Sequence, residues 1–213
     1  MTSVIIPILD STDETIIKAR NILSITHNRN IDIIIHSTSS NYTIMYPFIE
    51  ELVEYRINYS SKKIRAYVPV NALGYASLLC LVADEYYASP DATFSPFDIK
   101  IKTNMLELTR RDIEHYLTMQ ISGSLLEKLI NCKSIIDYYY PRFELIIKLH
   151  PNYGIKSDTI LKHLLYNPSL RLSSTDTLLN GSNIKLSVKD MTNIGAGPVG
   201  DIPVYICEYI LYR

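Results

Sequence analysis

Tryptophan is absent from this 213-residue chain, cysteine occurs only three times, and neither a basic block nor a long apolar run interrupts it. Each absence excludes something. Lys and Arg number 21 against 22 Asp and Glu, a net charge of −1 at pH 7, so there is no basic face to track a nucleic-acid backbone. No apolar stretch approaches the ~18 residues of a membrane span. The amino terminus lacks a cationic start followed by a small-residue cleavage site. Cys80, Cys132 and Cys207 have neither metal-ligand spacing nor an even count, the pattern of reduced, buried thiols. The expectation is a soluble cytoplasmic protein with no cofactor, no metal, no nucleic-acid partner and no membrane span. Richness in Ile, Asn, Tyr and Lys suggests an AT-rich coding sequence, which leaves a place inside a virus-derived assembly open as well.

What is present is apolar material, 47% of the chain, enough to bury a full core at this length. Residues 4–9 (VIIPIL) have strand length and composition. Asp10 to Glu14 supply N-cap candidates and early acids, and Ile16, Ile17, Ala19, Ile22, Leu23 and Ile25 follow at helical spacing. Ile31-Asp32-Ile33-Ile34-Ile35 is nearly continuous and β-branched, the pattern of a strand covered on both faces. Such a β-α-β unit implies two parallel neighbours. A polar loop from His36 to Asn41 and a helix over 42–55 lead to a third strand at 64–70.

The third strand opens the stretch around which the rest is organised. It stops at an abrupt turn, Asn71-Ala72-Leu73-Gly74, and a helix of small residues runs from 75 to about 84. A strand that turns sharply into a helix presents one residue at the helix N-terminus, where free N–H groups and the dipole favour negative charge. That position suits a nucleophile or an anion.

The order strand, helix, strand, polar loop, helix, strand, elbow and small-residue helix, followed by Pro90-Asp91-Ala92 and Ser95-Pro96-Phe97-Asp98, resembles the Clp-protease/crotonase superfamily. The likeness is to its serine-dehydrogenase-proteinase branch, with overtones of the signal-peptide-peptidase branch. His36 to Ser40 stand where that branch has His-Thr-Pro-Gly-Gly, Val68 to Ser77 match its Val-Pro-x-x-Ala-x-Ser-Ala-Gly-Thr elbow, and Ala83-Asp84-Glu85 its Ala-Asp-Glu. The resemblance implies an α/β fold, a Clp/crotonase-like β-α-β spiral with covering helices. A single domain over 1–213 is expected, with its core in 1–100 and a helical cover with C-terminal strands in 101–213.

The departures bear on activity. Counted back from Asp84 by the family spacing, the nucleophilic serine falls on Gly74, and the oxyanion-loop glycines fall on Ser39 and Ser40. Without its nucleophile a catalytic triad loses ~10⁶ in rate. Ser77 is a weak replacement, one helical turn or ~4.5 Å deeper, and Asp98 is a weak orienting group that reads equally as a turn cap. His36, His115, His150 and His163 read as structural or surface residues, so no Ser-His-Asp or Ser-Lys constellation assembles.

Beyond residue 98 the chain reads as helical: 105–121, 125–140 up to Pro141, 144–150, and 157 to about 166. A loop at 167–176, a short helix from 174 to 179 and a turn at Asn180-Gly181 precede a further short strand near Leu186. Gly195-Ala196-Gly197-Pro198-Val199-Gly200 matches the dinucleotide fingerprint by letter but reads as a glycine turn, because an apolar strand over 202–211 is expected where a helix would have to open. That strand is expected to pair with another, since an open apolar edge invites aggregation.

These readings converge on a catalytically inactive, Clp-protease-like subunit that acts in scaffolding or assembly, as a homo-oligomer or within a larger protein complex. The alternatives are a serine hydrolase with a relocated nucleophile, at Ser77, Ser39 or Ser40, and a module that binds a peptide or acyl group in the old pocket.

Overall fold

The computed structural model describes residues 3–9, 12–37, 42–97, 101–102, 107–108, 110–166 and 185–211. The Ser174 to Leu179 helix and the Asn180-Gly181 turn read from the sequence lie outside them. Strand β1 (Val4–Ile8) is followed by helix α1 (Asp13–Ser24), β2 (Ile31–Ile35), α2 (Tyr42–Asn58) and β3 (Ile64–Val68). The β-branched runs form strands as expected. Thr12 caps α1 by accepting from the Thr15 amide, Asp13 and Glu14 occupy its first turn, and Ile16, Ala19 and Leu23 are its buried stripe. Helix α2 carries Pro47 and buries Met45, Phe48, Ile49 and Leu52. The Tyr55 hydroxyl accepts from the Arg29 amide and donates to the Arg29 carbonyl, so α2 grips the turn that feeds β2.

After β3 the chain makes the two-residue strand β4 (Asn71–Ala72), helix α3 (Tyr75–Val82), β5 (Glu85–Ala88) and β6 (Thr93–Phe94). Strands β1, β2, β3 and β5 form one sheet in that order, parallel throughout, with Val4 opposite Ile31, Ile31 opposite Ile64 and Arg65 opposite Glu85. The three predicted strands are therefore parallel neighbours, although β3 ends at Val68 and residues 71–72 join a second sheet.

The first face of the main sheet, with Ile6, Ile8, Ile33, Ile35, Ala66 and Val68, meets α1, α2 and α3 in the main core. On the second face Ile34 and Tyr67 are covered by Ile206. Asp32, 1% exposed in the middle of an isoleucine run, is ion-paired with Arg65 Nε at 2.8 Å across the sheet and accepts from the Tyr67 hydroxyl at 3.3 Å. Such a buried carboxylate requires partners.

Strand β1 is an edge. Val4 donates to Asn30 and Ile8 accepts from His36, which points the even residues of β1 at β2 and turns Ile5 and Pro7 outward. Proline on that side removes a donor that no described strand uses. At the opposite edge, Val199 donates to Tyr86 and Gly200 bridges Tyr87.

The second half departs from the sequence reading in three places. A short antiparallel pair, β7 (Ile101–Lys102) with β8 (Glu107–Leu108), precedes α4 (Arg110–Leu117), so the helix predicted from 105 starts later. Helix α5 (Ser124–Lys148) then runs through Pro141 without stopping. Proline removes the amide that would reach the Asp137 carbonyl. The next carbonyl, that of Tyr138, accepts from the Arg142 guanidinium at 2.6 Å. The buried stripe Leu129, Cys132, Ile136, Tyr140, Phe143 and Ile147 crosses the proline unbroken, so packing holds the helix together.

A 3₁₀ turn (Gly154–Lys156) leads into α6 (Ser157–Leu161), which continues as a π-helical turn (Lys162–Tyr166), and β9 (Leu186–Ser187) pairs antiparallel with β6 before α7 (Val188–Asn193). The third departure is the tail: 202–211 is not a strand but helix α8 (Val204–Leu211). Pro203 sits just before it, its carbonyl taking the amides of Ile206 and Cys207, and Ile202, Ile206, Tyr209 and Ile210 share one face on the sheet. A helix does therefore follow the Gly195 to Gly200 stretch, contrary to expectation, but α7 precedes it where the dinucleotide motif needs a strand. Gly195 has φ 85° at the end of α7, and a Cβ on Gly197 would collide with Thr192. Both glycines serve the turn.

Candidate active site

The elbow is built by three segments that meet. The end of β2 supplies Ser37, whose amide donates to Asn71 and whose carbonyl accepts from Leu73. Strand β4 leads into Leu73 and Gly74, and α3 begins at Tyr75. Gly74 lies at φ 60°, ψ −126°, backbone that an L-residue reaches only under strain. Every residue of α3 from Tyr75 to Val82 is buried, as in a helix whose whole surface is core. The expected strand-turn-helix is present, with Gly74 at the presented position.

Two serines hold the turn. Ser77, fully buried, donates its hydroxyl to the Ala72 carbonyl and accepts from the Ser95 amide at 3.2 Å. Ser95, 7% exposed, accepts from the Gly74 amide at 2.6 Å and donates toward the Pro96 carbonyl at 3.4 Å. Both hydroxyls thus bond backbone. Among the described residues no histidine, lysine or carboxylate is hydrogen-bonded to either. Ser95 has a part in the elbow that its sequence position did not announce, because the bond spans 21 residues of chain. Ser39, Ser40 and Asp98 lie outside the described residues.

The histidines are dispersed. His36, half-buried at the end of β2, gives its amide to Ile8; His115 is exposed on α4 and His163 half-buried in the π turn. His150, 1% exposed after α5, is a buried structural residue, in keeping with the sequence reading. Its Nε2 lies 3.1 Å from the Ala83 carbonyl, its Nδ1 accepts from the Asn152 amide at 3.2 Å, and its ring packs tilted against Tyr153 with centroids 4.5 Å apart. Burial, followed by the nearby Arg56 guanidinium, lowers its pKa to about 4. The neutral ring donates through Nε2 and fastens the end of α5 to the C-terminal end of α3. The elbow is at the other end, about 12 Å away for an eight-residue helix, so His150 does not reach it.

Asp84 is likewise committed, donating its amide to the Ile64 carbonyl and accepting from the Ile64 amide through Oδ2 at 2.8 Å. Among the described residues no cluster of three or more His, Cys, Asp or Glu side chains could hold a metal ion, and no helix is long and apolar enough to cross a membrane.

No protein-family model matches the sequence, and no curated protein matches it. Solved structures match its shape. A membrane-bound stomatin-specific protease in complex with a substrate peptide is similar over 94% of this chain and 74% of that one, at a TM-score of 0.58 and 10% identity. The ClpP protease catalytic domain of Plasmodium falciparum is similar over 93% of this chain and 85% of that one, at a TM-score of 0.51 and 14% identity. The chain therefore has the Clp-protease-like α/β fold, a parallel sheet with covering helices, and the likeness is one of fold.

Proposed function

We propose that this protein is a catalytically inactive member of the Clp-protease-like fold that serves as a structural or assembly subunit. The observation that carries the reading is Gly74. The residue presented at the N-terminus of α3 has no side chain to attack a carbonyl, and its conformation disfavours acquiring one. The supporting observation is the use of Ser77 and Ser95, whose hydroxyls hold Ala72, Gly74 and each other's segment. A nucleophile needs a base within hydrogen-bond reach, and the buried histidine is at the wrong end of α3. A role in assembly fits the exposed apolar side chains of the helical half, Leu145 and Leu149 among them.

Fluorophosphonate labelling combined with turnover of activated esters and casein-like peptides tests this. The expected result is no serine labelled above the denatured control and no turnover. Labelling at one serine, Ser77 for example, with turnover abolished in Ser77→Ala, would establish the alternative of a serine hydrolase with a relocated nucleophile.

A further inference from the structure

We infer that helix α8 is an exchangeable arm, and that in a pair of copies of this chain each α8 docks on the second face of the other's main sheet. This rests on the assembly role proposed above and gives that role a place. The structure shows the occupant that this face accepts. Ile206 is buried between Ile34 and Tyr67, with Ile202, Tyr209 and Ile210 packed half-buried around them, and the Tyr205 hydroxyl lies 3.0 Å from that of Tyr67. The contacts that hold α8 to its own sheet hold the α8 of a second copy equally well. The face also stays formed when α8 leaves. Asp32, the buried carboxylate there, keeps Arg65 and the Tyr67 hydroxyl as partners, and all three belong to the sheet.

The ties of the tail to the sheet end at Gly200. Val199 donates to Tyr86 and Gly200 accepts from Ala88, and among the described residues no backbone bond joins 201–211 to the rest of the chain: Ile206 and Cys207 donate to Pro203, within the tail. Asp201, Ile202 and Pro203 are thus a hinge, and proline favours extended backbone at the residue before it. Three extended residues span about 10 Å, so in a reciprocal exchange the two hinges pass close to one another at the two-fold axis. The residues flanking the hinge are ones that the closed chain leaves uncovered: Val199 is 66%, Val204 73% and Tyr205 48% exposed. Exchange covers them against their counterparts, a contact that a chain closed on itself lacks, and this surplus selects a second copy. The exposed carboxylate of the hinge, Asp201, meets its counterpart there and opposes the pair, so salt strengthens the association.

The test is sedimentation equilibrium of the whole chain over a micromolar range. The unmodified protein is expected to form a dimer, and a large excess of a free peptide of residues 201–211 should dissolve it into monomers that carry the peptide. The same peptide with Ile206→Asp should leave the dimer intact. Ile206→Asp in the chain itself should abolish the dimer, Val199→Asp, at an exposed position outside the core, should weaken it about tenfold, and Asp201→Asn should tighten it several-fold. The peptide measurement uses the unmodified chain, so it decides the matter even where Ile206→Asp fails to fold. A dimer that the free peptide does not dissolve, or that Val199→Asp leaves as tight, overturns the exchange and leaves the assembly role standing on another face. A chain monomeric throughout overturns the exchange, and where no partner co-purifies with it the assembly role falls too.

Discussion

Ser77 and Ser95 form a lock: the amide of Ser95 donates to the Ser77 hydroxyl at 3.2 Å, while that hydroxyl itself donates to Ala72. Removing it strands a buried carbonyl and a buried amide together. Ser77→Ala should therefore destabilise the fold by about 2 kcal/mol, read as a lower urea midpoint at unchanged slope.

Gly74 predicts the companion result. Gly74→Ala and Gly74→Ser both place a Cβ at φ 60°, ψ −126°, at a cost of roughly 1–3 kcal/mol. Both variants should melt lower than the parent by similar amounts, and Gly74→Ser should show no esterase activity, because the buried His150 lies at the other end of α3. Turnover by Gly74→Ser would show that a base is in place.

His150 sets a pH dependence whose sign follows from its burial. With the folded pKa lowered to about 4 from an ordinary 6.5, the unfolded chain binds a proton first as pH falls. Stability is thus fully present above 6.5 and is lost progressively down to about 4, by about 3 kcal/mol at the limit. Urea midpoints measured every half pH unit should fall through that window, and His150→Gln should flatten the fall.

Helix α8 is anchored by Ile206, the side chain buried between Ile34 and Tyr67, with the Tyr205 hydroxyl 3.0 Å from that of Tyr67. Ile206→Ala should weaken this docking by about 2–4 kcal/mol. Hydrogen exchange should show the amides of 206–211 losing protection while those of β2 and β3 keep theirs.

How far the sequence disclosed the molecule depends on how local each determinant is. Ile31 to Ile35 could only be a buried strand, and the small residues after Gly74 only a buried helix, because period and composition agreed. The run 202–211 is apolar without strict alternation, so length and β-branching favoured a strand. The helical spacing of Ile202, Ile206, Tyr209 and Ile210 was there to be seen, and what decided it was the uncovered face over Ile34 and Tyr67, a tertiary fact. Pro141 reads as a stop because proline removes a helical bond, whereas six buried residues spaced across it outweigh that loss. At the elbow, spacing from Asp84 found Gly74. The part played by Ser95 is a contact between distant segments that no pattern in either one encodes.

Proline at position 7 has a consequence for what the main sheet can recruit. Along the outer side of β1 the donor at position 7 is missing, and the far side of β5 is occupied by the backbone of Val199 and Gly200. An extended peptide, or the edge of another copy, therefore finds no continuous ladder to join at either flank. Edge-to-edge pairing of the main sheet between copies is thereby discouraged in the folded protein.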